Sequence, residues 1–538
     1  MQPSRILKGS RVAEIDSACI SDGIDSKWLM SNAGRGVSSV VLDDFKMDRS
    51  NKQIKGVIVC GGGNNGGDGF VAAMDLIEKG MDICVFCIHP AEKFSDDSRF
   101  YFDRLAKHKN TCIRFLDFED EAEKADFIKK AESADFLVDA IFGTGLHGKD
   151  IYGQAKEVID CINYIKYSRK EKNENLEIYS IDIPSGIDSD NAKVLGAAVR
   201  ADKTVTFGCK KFGCVCYPGR QFCGDIVVFD IGIPEKYFNA YEQFFEADIY
   251  WAASKIPLKE NWTYKHAVGK LLVIAGSIGY TGAAAMTCQS ALRAGAGIVT
   301  LVCPWELNSI FEVKLTEVMT YPVEQTDDIS IHINAFEEIR ELAEKFDALA
   351  VGPGLSRNPS TIRLVREILK HIKKPTVLDA DGLRALYGPR EIDGENNFDL
   401  SHLVITPHSG ELASILGREK IGLEERLEAS LEVVKKYNLV SVLKGAATLI
   451  TNHEQITYIN PTGSWALATA GTGDILTGII GSFLAQGMGL FEAAACGTFI
   501  HGYASDIMAC KTSRTSQIAT DLLEGLKQTF LEIERIRY

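Results

Sequence analysis

Short apolar runs alternate along the chain with glycine-rich turns and with longer segments of helical periodicity. In the first half, the runs predicted to be buried strands are 54–60, 83–88, 136–139, 178–183, 203–207 and 226–231. Helical spacing marks residues 10–42 and 70–78. This alternation of strand and helix predicts an α/β fold with a parallel sheet.

A second series of strands follows after a break. Residues 235–262 are rich in aromatic and charged side chains and contain no glycine, and we interpret them as a connection. The later predicted strands are 271–275, 298–302, 348–351, 376–378, 404–406 and 441–443. A chain of 538 residues is too long for one core, so we expect two domains, 1–240 and 247–538.

The composition and net charge of the chain indicate a globular protein and disfavour some classes of partner. Apolar residues make up 46% of the chain and charged residues 25%, which is typical of a globular domain. The net charge of −14 argues against nucleic acid or an anionic membrane as partner, although anionic small ligands can still bind backbone amides. The N-terminus lacks the apolar core of a signal peptide and no run reaches transmembrane length, so we expect a cytoplasmic protein.

Fourteen cysteines stand mostly in apolar surroundings, where they are typical of small buried side chains. The cluster Cys209, Cys214, Cys216 and Cys223 has a spacing that fits no zinc or iron–sulfur pattern. Packing is therefore favoured over metal binding there.

The segment Gly471–Gly478, GTGDILTG, carries the clearest candidate chemistry. A glycine turn that opens a helix presents unpaired backbone N–H groups, which form an anion site. Asp474 would stand beside them, placed to take a proton from a hydroxyl while the amides hold a phosphoryl group. The alternative is an ordinary first-turn aspartate.

Another glycine-rich stretch, GGGNNGGDG at 61–69, follows the first strand. It matches G-x-G-x-x-G, but the next strand ends at His89-Pro90 without a carboxylate to bind a ribose, which disfavours a nicotinamide dehydrogenase. Two carboxamides and a carboxylate among glycines indicate polar recognition. We expect a ligand loop here.

Two more polar turns follow later strands of the same half. Gly143–Lys149 nearly matches a P-loop, but Asp150 stands where Ser or Thr must hold magnesium, so we interpret it as a second ligand loop. Asp182–Gly186 follows the strand at 178–183. In a parallel sheet, the polar ends of these strands would share one crevice, although three unrelated turns remain an alternative.

Together these motifs resemble the bifunctional NAD(P)H-hydrate repair enzymes, in which an epimerase domain precedes a dehydratase domain. The N-terminal resemblance rests on LMSNAGRGV (29–37), GGGNNGGDGF (61–70), DAIFGTGLHG (139–148) and DIPSGID (182–188), with VTFG near 205. The C-terminal resemblance rests on GPGL (352–355), LDADGL (378–383), TPHSGEL (406–412), KGAAT (444–448) and GTGDILTGIIG (471–481). It covers nearly the whole chain.

The resemblance implies two three-layer αβα domains, the first Rossmann-like and the second ribokinase-like. In the first, it implies that Asp182 is the catalytic acid/base and that potassium is bound by Asn65, Asp139 and Ser185. The hydrate-binding residues implied for this domain are Asn64, Asn65, Gly66, Gly67, Asp68, Gly143, Thr144, Gly145, Leu146, His147, Gly148, Lys149 and Asp182.

For the second domain, the resemblance implies dehydration of the S hydrate with ADP and Mg²⁺, giving NAD(P)H, AMP and phosphate. Asp474 would take the proton of the C6 hydroxyl, so that phosphate leaves instead of hydroxide. The implied hydrate contacts are Ala283, Gly354, His408 and Asp474. The implied nucleotide contacts are Lys444, Gly445, Ala446, Ala447, Thr448 and Gly473.

The sequence departs from the family pattern at one place, and two alternative functions stay open. The family opens its dehydratase domain with His-Lys-Gly, where this chain has Tyr264-Lys265-His266. The first alternative is a ribokinase-like small-molecule kinase whose N-terminal domain binds a nucleotide and has a regulatory role. In the second alternative, the N-terminal domain has no catalytic activity and serves as a nucleotide-binding or scaffold module. We also expect a homo-oligomer, while the route of epimerisation and the choice between the two cofactors stay open.

Overall fold

A computed structural model describes residues 4–45, 53–146, 148–238, 243–259, 262, 264–265, 267–387 and 399–537. The chain divides into two compact units, Arg5–Glu242 and a second made of Gln243–Tyr538 with Met1–Ser4. We call them the N-unit and the C-unit and describe each by itself.

The N-unit is built on a parallel sheet. Its strands are β1 (Ser4–Leu7), β2 (Lys55–Cys60), β3 (Asp82–Cys87), β4 (Cys112–Phe115), β5 (Phe136–Ala140), β6 (Glu177–Ile181), β7 (Lys203–Phe207), β8 (Lys210–Lys211) and β9 (Asp225–Phe229). Seven of them form the sheet in the order β4-β3-β2-β5-β6-β7-β9, and β1 pairs with β8. The order reverses between β2 and β5, which is the point where doubly wound sheets bind ligands.

Helices cover both faces of this sheet. They are α1 (Gly9–Ser21), α2 (Ser26–Phe45), α3 (Asn64–Glu78), α4 (Asp96–Ala106), α5 (Glu121–Glu132), α6 (Gly153–Glu171) and α7 (Phe212–Val215). Ile58 and Val85 pack with α2, α3 and α4, whereas their neighbours Val57 and Phe86 pack with α5 and α6. Successive residues of a strand thus pack into two different cores, one on each face of the sheet, as a three-layer sandwich requires.

The C-unit repeats this plan with a longer sheet. Its strands are β10 (Phe244–Glu246), β11 (Lys270–Ile274), β12 (Ile298–Pro304), β13 (Met319–Val323), β14 (Ala348–Val351), β15 (Thr376–Leu378), β16 (Leu403–Ile405), β17 (Val440–Leu443), β18 (Leu449–Thr451) and β19 (Thr457–Ile459). They follow the order β13-β12-β11-β14-β15-β16-β17-β18-β19-β10, in which only the β17-β18 and β18-β19 pairs are antiparallel. The order reverses between β11 and β14.

The helices of the C-unit also pack on both faces. They are α8 (Ile249–Lys255), α9 (Thr281–Arg293), α10 (Asn308–Lys314), α11 (Phe336–Ala343), α12 (Pro359–His371), α13 (Ser409–Leu416), α14 (Arg426–Tyr437), α15 (Thr472–Ala485), α16 (Leu490–Lys511) and α17 (Asp521–Arg537). Leu271 and Val273 join α9 and α15–α17 in the largest core. Leu272 and Ile274 are fully buried outside that core, on the opposite face, and α14 packs against β17 and β18.

The predicted α/β class is therefore confirmed, with corrections to single elements. Residues 10–42 form two helices, because Gly23 turns the chain with a φ of +96° between α1 and α2. The predicted connection 235–262 contains β10 and α8, where Trp251 is buried. Strands β4, β13, β18 and β19 were not predicted from the sequence; β18 and β19 have only three residues each. No helix in the described ranges is long and apolar enough to cross a membrane.

Candidate functional site

Two glycine loops meet at the switch point of the C-unit sheet. The loop 276–280 follows β11 and leads into α9, so Thr281 and Gly282 belong to the helix, and Gly352–Leu355 follows β14. The amide of Gly276 donates to the carbonyl of Pro353 at 3.0 Å, and the Ser277 hydroxyl donates to the carbonyl of Gly354 at 2.8 Å. A Cβ on Gly354 would lie 2.7 Å from the Tyr280 Cβ, so the two loops can approach only because residue 354 has no side chain.

A cavity of about 490 Å³ opens beside these loops. Its walls are Tyr280, Ala283, Gly354, Arg357, Ala380, Asp381, Arg384, Tyr387, His408, Gly410, Glu411, Ser414 and Asp474. All four residues predicted to contact the hydrate in this unit line it. The cavity is large enough for a small ligand group and has both cationic and anionic walls.

Asp474 lies in the first turn of α15, after Gly471, which adopts a φ of +92°. Burial, together with the nearby charge of Asp379, raises the pKa of Asp474 to about 7, against the opposing effect of Lys444. A carboxylate with this pKa is suited to accept a proton near neutral pH. The helix N-terminus beside it can hold an anion.

A buried charge network stands next to Asp474. The Lys444 ammonium donates to Asp379 Oδ1 at 2.8 Å, and the Thr477 hydroxyl donates to Asp379 Oδ2 at 2.8 Å. Burial alone would lower the pKa of Lys444, but the charges of Asp379 and Glu411 outweigh it and raise that pKa. Lys444 therefore stays a cation, and its ammonium lies 3.3 Å from the position a Cβ would take on Gly473.

His408 caps the start of α13. Its Nδ1 accepts from the amides of Gly410 and Glu411 at 3.0 and 3.2 Å, while the Glu411 carboxylate accepts from the His408 amide at 2.8 Å. Burial raises the pKa of Glu411, although Lys444 opposes it. The two side chains thus fix this wall of the cavity through a reciprocal cap.

The turn 444–448 is fixed by Arg426, a buried residue of α14. Its guanidinium donates to the carbonyl of Leu443 at 2.9 Å and to that of Ala446. The Thr448 hydroxyl closes the turn by donating to the Gly445 carbonyl at 2.9 Å. Lys444 N donates to the carbonyl of Pro407 at 2.8 Å, which ties this turn to the segment before His408.

In the N-unit, two loops likewise meet at the switch point. The turn Gly61–Gly63 follows β2, and residues 141–146 follow β5. Residues 64–68 belong to the first turns of α3 and not to a loop, which corrects the predicted helix start at residue 70. A Cβ on Gly66 would lie 2.1 Å from the Gly61 carbonyl oxygen, so glycine is required there for the helix to begin this close to the sheet.

Asp139 and Ser185 are fully buried and bonded to each other. The Ser185 hydroxyl donates to Asp139 Oδ1 at 2.5 Å and its amide donates to Oδ2 at 2.9 Å. Burial raises the pKa of Asp139 against these hydrogen bonds. Asn65 lies against Gly143, and its buried Nδ2 has no hydrogen-bond partner among the residues that the structure describes.

Asp182 follows β6, which ends two residues earlier than the predicted strand 178–183, and it adopts a positive φ of 65°. Its carboxylate accepts from the Phe207 amide and the Thr206 hydroxyl, both at 3.2 Å, and forms an ion pair with the fully buried ammonium of Lys211. This places a buried ion pair at the carboxyl edge of the N-unit sheet.

Both halves of the chain match family models. The model described as NAD(P)H-hydrate dehydratase matches residues 271–528, and the one described as YjeF-related protein N-terminus matches residues 26–213. The chain is 36% identical to the bifunctional NAD(P)H-hydrate repair enzyme Nnr of Moorella thermoacetica, over 98% of this chain and 97% of that protein. The chain belongs to the family of bifunctional NAD(P)H-hydrate repair enzymes.

Other members of this family are similar along their whole length. The Nnr protein of Thermofilum pendens is 34% identical over 97% of this chain and 95% of that protein. Among solved structures, the chain is similar to the ADP/ATP-dependent NAD(P)H-hydrate dehydratase from Bacillus subtilis, co-crystallised with ATP/Mg²⁺, at 24% identity and a TM-score of 0.44, over 53% of this chain and 97% of that one.

The structure groups most of the predicted site residues, while their roles stay predictions. Asn65 and Gly143 meet, Asp139 and Ser185 meet, and Lys444 and Gly473 meet. Asn64 accepts from the Ser95 hydroxyl at 2.8 Å, and Thr144–Leu146 form a short helical turn that precedes Gly148 and Lys149. His147, predicted to bind the hydrate, and His266, in the departure from the family pattern, lie outside the described residues.

Sequence reasoning missed three charged residues that shape these sites: Lys211, Asp379 and Arg426. Each acts on a partner at least 17 positions away along the chain, so no local spacing indicates it. Asp379 had a weak signal, since LDADGL places it directly after a predicted strand. Lys211 and Arg426 had none.

Proposed function

We propose that this protein repairs hydrated NADH and NADPH, with epimerisation of the R and S hydrates in the N-unit and ADP-dependent dehydration of the S hydrate in the C-unit. The observation that carries this proposal is the cavity of the C-unit, where the predicted hydrate contacts converge on Asp474. Membership of a bifunctional family along nearly the whole chain supports assigning a substrate of that class.

In the C-unit, Asp474 acts as the general base. The hydrate carries a hydroxyl at C6 beside the ring nitrogen, and hydroxide is a poor leaving group. Asp474 takes the hydroxyl proton as the oxygen attacks the terminal phosphoryl group of the nucleotide, and the amides at the start of α15 stabilise the charge that develops. The C6–O bond then breaks as the ring-nitrogen lone pair forms an N1=C6 iminium and phosphate leaves. Loss of a proton from C5 to water converts the iminium into the C5=C6 double bond of NAD(P)H.

The nucleotide occupies the side formed by Lys444–Thr448 and Gly473. Lys444 supplies the positive charge for its phosphates, and the turn fixed by Arg426 supplies backbone groups and the Thr448 hydroxyl. Mg²⁺ would arrive with the nucleotide, held chiefly by phosphate oxygens and water, because both oxygens of Asp379 are already engaged by Lys444 and Thr477.

In the N-unit, Asp182 acts as the acid/base at the reacting carbon. Residues 64–68 at the start of α3 and 143–149 after β5 bind the hydrate. Both segments follow strands that flank the switch point, which supports one ligand between them.

Potassium would be held by Asn65, Asp139 and Ser185. A carboxylate, a hydroxyl and a carboxamide suit a hard cation. Within the described ranges, the buried Nδ2 of Asn65 has no hydrogen-bond partner, and exchange of the amide N and O positions would aim an oxygen there instead. When bound, the ion would supply positive charge for an anionic substrate. We further propose a cytoplasmic location, and a homo-oligomer stays a prediction that light scattering would test.

A mixture of R and S hydrates, ADP and Mg²⁺ tests the function directly. Absorbance of the reduced nicotinamide at 340 nm should recover fully, with AMP formed in equal amount to the repaired cofactor. Consumption of ATP to ADP, with ADP inert, would overturn the donor assignment and leave the reaction class standing. Failure to recover absorbance with either nucleotide would favour the small-molecule kinase.

A further inference from the structure

Lys211 is a fully buried lysine in the N-unit, on the two-residue strand β8. Its ammonium pairs with Asp182 and also donates to the Thr206 hydroxyl at 3.0 Å and the Phe207 carbonyl at 2.9 Å. An ammonium has three N–H donors, so all of them are used and its orientation is fixed. Thr206 and the Phe207 amide bond the same Asp182 carboxylate, which closes the group into one network.

Two further carboxyl groups lie near this ion pair. Burial raises the pKa of Asp16, on α1, to about 6, with Lys211 opposing and Asp182 reinforcing the effect. Burial also raises the pKa of Asp68, on α3, well above its usual range, and Asp182 and Asp16 reinforce it. One ammonium therefore faces three carboxyl groups, and it is bonded to only one of them.

Among the described residues, thiols and the guanidinium of Arg5 also lie near the network. Cys209 lies near Lys211, Asp182, Asp16 and Arg5, and burial raises the pKa of its thiol. The pKa of the Cys214 thiol is raised well above its usual range by its hydrogen bond with Cys223 and by burial. Both thiols thus stay neutral near pH 7, so Lys211 is the cation in direct contact with the network.

We propose that Lys211 is a positioning residue of the epimerase site: it holds Asp182 in its ionised form and in a fixed orientation for proton transfer. The inference rests on the proposed function of the N-unit. Without the ammonium, Asp182 would share its surroundings with two other carboxyl groups and no bonded cation, which makes its ionisation costlier. Fewer Asp182 carboxylates would then be free to accept a proton as the pH falls.

A purely structural ion pair makes a different prediction. Buried pairs can often be replaced by apolar side chains with little loss of stability, and such a pair has no reason to affect the pH dependence of a rate. A positioning role through Asp182 requires that dependence to change. The acidic limb of the rate–pH profile therefore distinguishes a positioning role of Lys211 from a purely structural one.

The test compares Lys211→Met with Lys203→Met in the full chain. Lys203 forms an ion pair with Asp44 at 2.7 Å on the same sheet, away from Asp182, so its loss removes a pair without touching the site. Epimerisation is measured without nucleotide, from pure R hydrate to S hydrate by chromatography, between pH 5.5 and 9. In Lys211→Met the acidic limb should move up by about one to three pH units, with a rate loss of about tenfold or more at pH 6.

The outcomes separate the inference from the function it rests on. Parent protein that never converts the R hydrate would reject the epimerase assignment itself. Active parent and Lys211→Met with the same pH profile would overturn the inference, as would an equal shift in Lys203→Met. If hydrogen exchange shows Lys211→Met unfolded in β6 and β7, Lys211→Arg decides: it keeps the cation, so its acidic limb should stay in place, and a shifted limb would overturn the proposal.

Discussion

Asp474 is the residue on which dehydration depends most in this account. Its carboxylate stands at the N-terminus of α15, in the cavity wall, with a pKa raised to about 7. Asp474→Asn keeps the shape but cannot take the hydroxyl proton, so we expect dehydration to slow by roughly 10²–10⁴-fold, the usual contribution of a general base. Steady-state rates with pure S hydrate and ADP would measure this.

Asp347→Asn is the matched control for that variant. Asp347 is an exposed carboxylate that accepts from the Lys270 amide at 2.8 Å, at the amino end of β11 and so at the opposite edge of the sheet. The Asp347→Asn variant should keep the dehydration rate of the parent. Near-parent turnover in Asp474→Asn, with the nucleotide still bound, would show that another group takes the proton.

The pH dependence of dehydration follows from the same carboxylate. A base works only when unprotonated, so kcat/KM for the S hydrate should rise as pH increases through about 7 and then level off. The low-pH limb should disappear in Asp474→Asn, where no carboxylate titrates. A parent profile that is flat between pH 5.5 and 8.5 would contradict a base with this pKa.

Residues whose function depends on a local pattern could be predicted from the sequence, and others could not. The site at Asp474 was predicted because a glycine turn before a helix indicates an anion site, and the other motifs of the chain favour that interpretation over an ordinary first-turn aspartate. Its setting could not be predicted, since Asp379 and Lys444 reach it from two other strands. Lys211 gave no signal, because burial and its pairing with Asp182 exist only once β6 and β8 are in place.

At the scale of elements, Arg426 joins α14 to the turn after β17. Arg426→Met would release the carbonyls of Leu443 and Ala446 and loosen the turn. Since a hydrogen bond from a charged group is worth about 1.5–3 kcal/mol, we expect the KM for ADP to rise about tenfold or more, with a smaller change for the hydrate. Arg418→Met, which removes a surface pair with Glu432, is the control.

If Arg426→Met raised the KM for ADP and the KM for the hydrate equally, the result would indicate general loosening of the C-unit and not a local effect on the turn.

The start of α3 provides a second test at this scale. Gly66→Ala would place a Cβ 2.1 Å from the Gly61 carbonyl and force the helix away from β2. Such overpacking costs about 1–3 kcal/mol, and it should lower both the stability of the N-unit and its epimerase rate. Gly63→Ala meets nothing within 4 Å and should keep the parent stability.

Calorimetry of the full chain would compare the two variants. An unchanged unfolding transition in Gly66→Ala would contradict the close approach of helix and strand.

Most strands of the parallel sheets could be predicted from the sequence, including the three-residue strands β15 and β16, but helix boundaries and the hairpin strands β18 and β19 could not. Apolar runs fix β2, β5 and β14, since both faces of a parallel sheet are buried. The start of α3 was predicted too late, because its glycines oppose helix formation locally and are retained for close packing. Strands β18 and β19 form an antiparallel hairpin whose three-residue strands carry little pattern.

At the scale of the whole molecule, the two proposed activities belong to different compact units. Asp182 lies in Arg5–Glu242 and Asp474 in the unit that begins at Gln243. The seven-stranded sheet lies within the N-unit, and each unit has its own cores and its own switch point. If the two sites are separate, the epimerase can be inactivated without loss of dehydration.

Recovery of reduced cofactor by Asp182→Ala, from a mixture of both hydrates with ADP and Mg²⁺, tests this expectation most directly. We expect this recovery to have two phases. The S hydrate is repaired fast, at the parent rate, and the R hydrate is then repaired at the rate of its slow spontaneous conversion. The parent should show one fast phase, and only the part lost in the variant should depend on potassium. Loss of repair for both hydrates in folded Asp182→Ala would contradict two separate sites.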